Sequence, residues 1–217
     1  MAQYKILFVD EVEAERNRFL RYIHTNDDEK EFETVALEPD AELDKFLEQI
    51  LSEHYDAIIT DHKLSESNSY IQYDGLELID AILKTRIDFP CFVLTSFDDD
   101  AVRDGDDVNI IYIKGLMSSE EGHLAKFIYK IKNQIKHHRK KINNAKKELE
   151  ELVKKEYLDA SDEARLLELD TYIEKTTNTK ASIPPQLKSS SNLAELHKMI
   201  ENTDYLLTKL KGTKNAK

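Results

Sequence analysis

Four short apolar runs in this chain end in residues that can do chemistry. Ile6-Leu7-Phe8-Val9 runs into Asp10-Glu11, Ala57-Ile58-Ile59 into Thr60-Asp61, Phe92-Val93-Leu94 into Thr95-Ser96, and Tyr112-Ile113 into Lys114. If the runs are parallel strands, these residues meet beyond the carboxyl edge of one sheet, where doubly wound α/β folds bind ligands. Three carboxylates, a hydroxyl and an ammonium gathered there repel one another unless a cation joins them. Hard oxygen donors with room for water suit Mg²⁺. Such an ion and a lysine together neutralise the oxygens of a phosphoryl group in transfer. Asp61 is then the candidate nucleophile, with an acyl phosphate as its product.

The elements that must position these residues follow from periodicity. Apolar runs at Lys5–Val9, Phe32–Leu37, Ala57–Thr60, Cys91–Thr95 and Ile110–Ile113 alternate with amphipathic stretches carrying Phe19, Leu20 and Ile23, then Leu43, Phe46, Leu47, Ile50 and Leu51, then Leu76, Ile79, Ile82 and Leu83. Alternation of this kind predicts βα units and a five-stranded parallel sheet. The fourth connection, Phe97 to Val108, is so rich in Asp that any helix there must be short. Ser118 with Glu121 forms a capping-box signal for a long helix starting near Ser119. Leu124, Ile128, Ile131, Ile135, His138, Ile142, Ala145, Leu149 and Leu152 then recur at heptad spacing. A seam of that length needs a cover: either a symmetry mate, giving a homodimer through residues 124–152, or later segments of the same chain. Ser161 or Asp162 is a candidate cap for a helix bearing Leu166, Leu169, Tyr172 and Ile173, and Asn192 with Glu195 suits a third. Residues 176–191, with Pro184-Pro185 and Ser189-Ser190-Ser191, read as a linker.

At the strand ends the chain resembles the receiver domain of two-component response regulators, the flavodoxin-like fold of chemotaxis regulators, over about residues 3–135. The motifs are Ile6-Leu7-Phe8-Val9-Asp10-Glu11, Tyr55-Asp56-Ala57-Ile58-Ile59-Thr60-Asp61, Asp74-Gly75-Leu76-Glu77-Leu78, Phe92-Val93-Leu94-Thr95-Ser96 and Tyr112-Ile113-Lys114, in that order. The resemblance implies phosphorylation of Asp61 by a sensor histidine kinase. It also implies Mg²⁺ held by Asp10, Glu11, Asp61 and the backbone carbonyl of Lys63, with Thr95 and Lys114 as the switch residues that meet the phosphoryl group. The chain departs from the family in three places. The loop from Asp61 to Asp74 is several residues longer, Gly115 follows Lys114 where proline is usual, and Ile111 stands where a switch aromatic usually sits. The long loop is a candidate lid or partner-docking element.

Composition bounds the rest. The 217 residues carry a net charge of −12, divided unevenly: residues 1–120 hold 11 Lys and Arg against 29 Asp and Glu (−18), residues 121–217 hold 20 against 14 (+6). Nine Lys or Arg and no acid lie between Gly122 and Lys147. That admits a nucleic-acid-binding helix over 126–147, but a helix face that is solvated or docked on the acidic first domain explains it more simply, and no aromatic platform follows Tyr129 until Tyr157. One cysteine, Cys91, excludes a disulfide framework and reads as core. No apolar run approaches a membrane span. The start of the chain shows no leader pattern, so a cytoplasmic protein is expected. The expected organisation is a receiver domain at 1–135 and a helical or coiled-coil region at 136–217 that resembles no named family. The function expected is that of a signalling receiver, not an enzyme, with a protein-interaction or dimerisation output; the alternatives are a phosphate sink or pseudo-receiver without output. His62 is expected to face solvent from its loop, His138 to be a polar or pH-sensitive position in the seam, and His197 to be an exposed helix residue.

Overall fold

The structure, a computed structural model, describes residues 2–66, 68–95, 111–113, 124–155, 157–177 and 202–203. The expected acidic fourth helix, Lys114, the Ser118 cap, residues 178–191 of the linker and the helix bearing His197 lie outside them. Two compact units divide at Lys141 and Ile142.

The first unit contains β1 (Tyr4–Val9), α1 (Glu13–Asn26), β2 (Phe32–Leu37), α2 (Leu43–Ser52), β3 (Ala57–Asp61), α3 (Gly75–Thr85), β4 (Cys91–Thr95), the three-residue β5 (Ile111–Ile113) and most of α4 (Leu124–Val153). Four strands pair in parallel in the order β2-β1-β3-β4, and β5 adds three rungs beside β4. The strands alternate their side chains between two buried faces. Leu7, Val9, Ile58, Cys91 and Val93 pack with Phe46 and Ile50 of α2 and with Leu78, Ile79 and Ile82 of α3. Tyr4, Ile6, Phe8, Ala57, Ile59, Phe92 and Leu94 face Phe19, Tyr22 and Ile23 of α1 and Phe127, Ile128, Ile131 and Ile135 of α4. Burial on both faces is why these strands read as continuous apolar runs. Each such side chain contributes roughly 1.5–3 kcal/mol by leaving water. Cys91 belongs to this core, and burial pushes its thiol pKa up.

The loop between β3 and α3 is anchored at both ends. Leu64, Ile71 and Tyr73 are buried in the α2–α3 core, and the Tyr73 hydroxyl donates to the Asp40 carbonyl at 2.6 Å. Between the anchors Ser65, Glu66 and Tyr70 are exposed.

Among the described residues, much of the heptad seam packs against other segments of the same chain. Ile128, Ile131 and Ile135 sit in the first unit's core, and His138 is buried edge-on against Phe89 with ring centroids 5.8 Å apart. In the second unit Ala145, Leu149 and Leu152 pack with Leu166 and Leu169 of α5 (Ala160–Thr177). The cap of α5 is Asp159, upstream of the expected Ser161 or Asp162: its carboxylate accepts the amide N–H groups of both, each at 2.8 Å. Carboxylates suit a helix N-terminus because they meet its unpaired N–H groups and its positive dipole end.

Three cations of the basic stretch are spent on acids of the first unit. Lys132 pairs with Glu31 and, at 3.0 Å, with Glu29. Arg139 donates to Asp56 at 2.7 Å and lies over the Tyr4 ring, and Lys141 meets Asp88 at 3.0 Å. This is the docked-helix explanation of the charge run.

Candidate functional site

Parallel pairing in register brings the polar strand ends together. Val9 pairs with Thr60 and Asp61 with Leu94, so Asp10, Asp61 and Thr95 emerge at the same carboxyl edge. One carboxylate oxygen from each of Asp10, Glu11 and Asp61 lies within 4.8 Å of the others. Asp10 is fully buried, Asp61 is 8 % exposed, Thr95 is 3 % exposed, and Glu11 is half-buried. Like charges so close, and so far from water, disfavour one another strongly. The donor set, all hard carboxylate oxygens, fits Mg²⁺ or a similar cation.

Local hydrogen bonds hold the segments that carry Asp10 and Asp61. The Val12 N–H donates to Asp10 Oδ1 at 2.9 Å, which sets the carboxylate against the turn into α1. The Thr60 hydroxyl donates to the Asp61 carbonyl at 3.0 Å. Beyond Asp61, the His62 N–H donates to Leu94 O and the His62 carbonyl accepts the Gly75 N–H, both at 2.8 Å.

Gly75 explains why Asp74 and Gly75 form a motif. A Cβ on Gly75 would lie 2.0 Å from the Asp61 carbonyl oxygen and 3.0 Å from Thr60 Cγ2. Only glycine lets the start of α3 approach the Asp61 backbone this closely. Asp74 caps that helix, accepting from the Glu77 N–H at 2.9 Å while Glu77 accepts from the Asp74 N–H at 2.9 Å. The reciprocal pair fixes the helix start where Gly75 is needed.

Lys63 is half-buried between buried His62 and Leu64 on the chain leaving β3. His62 departs from the solvent-facing expectation: it is 4 % exposed, and among the described residues its Nδ1 has no hydrogen-bond partner. The pairing of its backbone with both β4 and α3 draws it inside. A residue not singled out in the sequence is Arg16, whose guanidinium donates to the Asp10 carbonyl at 2.6 Å. Its only signal is position, six residues after Asp10 and on the first turn of α1.

No family model and no curated protein sequence matches the chain. Among solved structures it is similar to the lysine decarboxylase LdcF of Francisella novicida, with a TM-score of 0.41 and 19 % identity. The match covers 62 % of this chain and 18 % of that one. No helix among the described residues is long and apolar enough to cross a membrane.

Proposed function

We propose that the first unit is a phosphoacceptor receiver of flavodoxin-like topology, in which Asp61 takes a phosphoryl group from the phosphohistidine of a sensor kinase. The observation that carries this reading is the convergence of Asp10, Glu11 and Asp61 within 4.8 Å at the carboxyl edge of a parallel sheet. A cluster of this kind opposes its own formation, so it favours a site selected for a cation over a structural role. Asp10, Glu11 and Asp61 would hold Mg²⁺, with the Lys63 carbonyl as a further donor. Bound there, Mg²⁺ supplies positive charge to the phosphoryl oxygens.

Asp61 acts as nucleophile: a carboxylate oxygen forms the new O–P bond as the N–P bond of the donor breaks, its electron pair stays with the imidazole, and a proton from solvent completes the leaving group. Thr95, buried one residue beyond the partner of Asp61 on β4, would donate its hydroxyl to a phosphoryl oxygen; its position at the same strand edge supports this role. Lys114 follows β5 directly in sequence and is proposed as the counter-charge. The long helix α4 then carries the response toward a protein partner, in a signalling role and not as an enzyme. The pairing of Lys132, Arg139 and Lys141 with acids of the unit argues against α4 as a nucleic-acid surface.

Intact mass after incubation with acetyl phosphate and Mg²⁺ tests the proposal. A gain of one phosphoryl group by the native chain, absent in Asp61→Asn and in metal-free samples, is the expected result. No gain under any condition would leave a pseudo-receiver whose acidic edge serves only for docking.

A further inference from the structure

We infer that Arg16 is the positioning residue of the acidic site, holding the main chain that presents Asp10 and Glu11 for cation binding; the inference rests on the reading of that site as a Mg²⁺-dependent phosphoacceptor. The turn from Asp10 to Val12 contains neither Gly nor Pro, and the residue preceding α1, Val12, offers no side-chain cap. Within the turn, the Val12 N–H donates to Asp10 Oδ1 at 2.9 Å, a brace that uses the very carboxylate that would bind the cation.

Arg16 braces the main chain from two directions. Nη1 donates to the Asp10 carbonyl at 2.6 Å, and Nη2 lies 3.6 Å from the carboxylate of Glu38, the residue that follows β2. The Arg16 N–H also donates to the Val12 carbonyl at 3.1 Å. Because the Asp10 N–H donates to Leu37 O at 3.3 Å, the main chain of Asp10 is held at both its donor and its acceptor. The Arg16 side chain is only 15 % exposed, so this arrangement excludes most competing water. A planar guanidinium can bridge two acceptors in fixed directions, which an ammonium cannot.

Two effects of the guanidinium oppose each other. It orders the ligands, and its positive charge repels a second cation. Glu38, 3.6 Å away, offsets part of that charge, while losing a partner that orients a metal ligand typically weakens metal affinity 10- to 100-fold. Positioning therefore wins, and the two accounts predict opposite signs for Arg16→Ala.

The test is a Mg²⁺ titration of the full chain followed by backbone amide shifts, with the metal-free thermal midpoint measured in parallel. Arg16→Ala is expected to weaken Mg²⁺ binding roughly tenfold, and Arg16→Lys, which keeps the charge but not the fork, to fall between it and the native chain. Phosphorylation by acetyl phosphate at subsaturating Mg²⁺ should slow in the same order and recover at saturating Mg²⁺. A purely structural role would lower the midpoint and leave affinity unchanged in both variants, and that result overturns the inference, as does tighter binding by Arg16→Ala. If Arg16→Ala does not fold, Arg16→Lys decides alone by the same criterion. Native phosphorylation with no difference among variants at subsaturating Mg²⁺ defeats the role of Arg16 only, whereas a native chain that binds no Mg²⁺ and gains no phosphoryl group defeats the phosphoacceptor reading as well.

Discussion

The two edges of the sheet in the first unit handle acidic residues in opposite ways. At the amino edge, Glu31 just before β2, Asp56 just before β3 and Asp88 shortly before β4 each meet a cation of α4. At the carboxyl edge, Asp10, Glu11 and Asp61 meet one another. The first arrangement lowers the energy of the fold, since opposite charges attach a basic helix to an acidic sheet. The second gathers groups of like charge, an arrangement that a shared cation would relieve. Charge composition alone does not separate these cases. Which carboxylate lies beside which neighbour does.

Substitutions can break or sharpen that contrast. The largest effect is expected from Gly75→Ala, whose methyl group would meet the Asp61 carbonyl; overpacking against backbone should cost about 3 kcal/mol and abolish phosphoryl acceptance, as read by urea unfolding and intact mass. Next, Asp56→Asn should destabilise by about 2 kcal/mol, because one amide cannot accept from both the Lys5 N–H and Arg139. The same exchange at the other edge should have the opposite sign. Asp10→Asn keeps an oxygen for the Val12 N–H but removes one of three crowded charges, so the metal-free protein should gain about 1 kcal/mol, or roughly 2–4 °C in melting temperature, while losing Mg²⁺ affinity. A lowered melting temperature in Asp10→Asn would remove the contrast between the edges.

The smallest effect concerns pH. Burial is the main influence on His138 and lowers its pKa below the ordinary histidine value; Lys141 and Arg86 also lower it, and Asp88 opposes them through its charge and its backbone. The unfolded chain therefore binds the proton more readily, and stability falls as pH drops through about 6.5 toward the folded-state value. His138→Phe, which preserves the packing on Phe89, should flatten that slope in melting curves between pH 7.5 and 5.5. An unchanged slope would assign the dependence to another group.

Much of the fold was legible because two-sided burial leaves a simple trace. The strand runs read from the sequence lie within a residue or so of those observed, since Ile6 to Val9 and Ala57 to Ile59 have water on neither side. The acidic trio was legible for a related reason: polar residues ending apolar runs must collect where parallel strands end. His62 was misread because a polar residue after a strand usually faces solvent, and only the backbone pairing with Leu94 and Gly75 turns it inward. The cap of α5 was misplaced because Asp159, Ser161 and Asp162 are all competent caps, and local preference does not rank them.

By itself, then, the sequence determined the alternation of strands and helices, the position of the acidic residues at strand ends, and the existence of a long apolar seam on α4, because periodicity and burial are properties of consecutive residues. It did not determine what covers that seam, since apolar attraction has no direction and accepts a symmetry mate as readily as the chain's own core. Nor did it single out Arg16, or show that Gly75 must be bare to pass the Asp61 carbonyl. Those depend on how the start of α1 folds back on the Asp10 carbonyl and how closely the start of α3 passes Asp61, which only the three-dimensional structure decides.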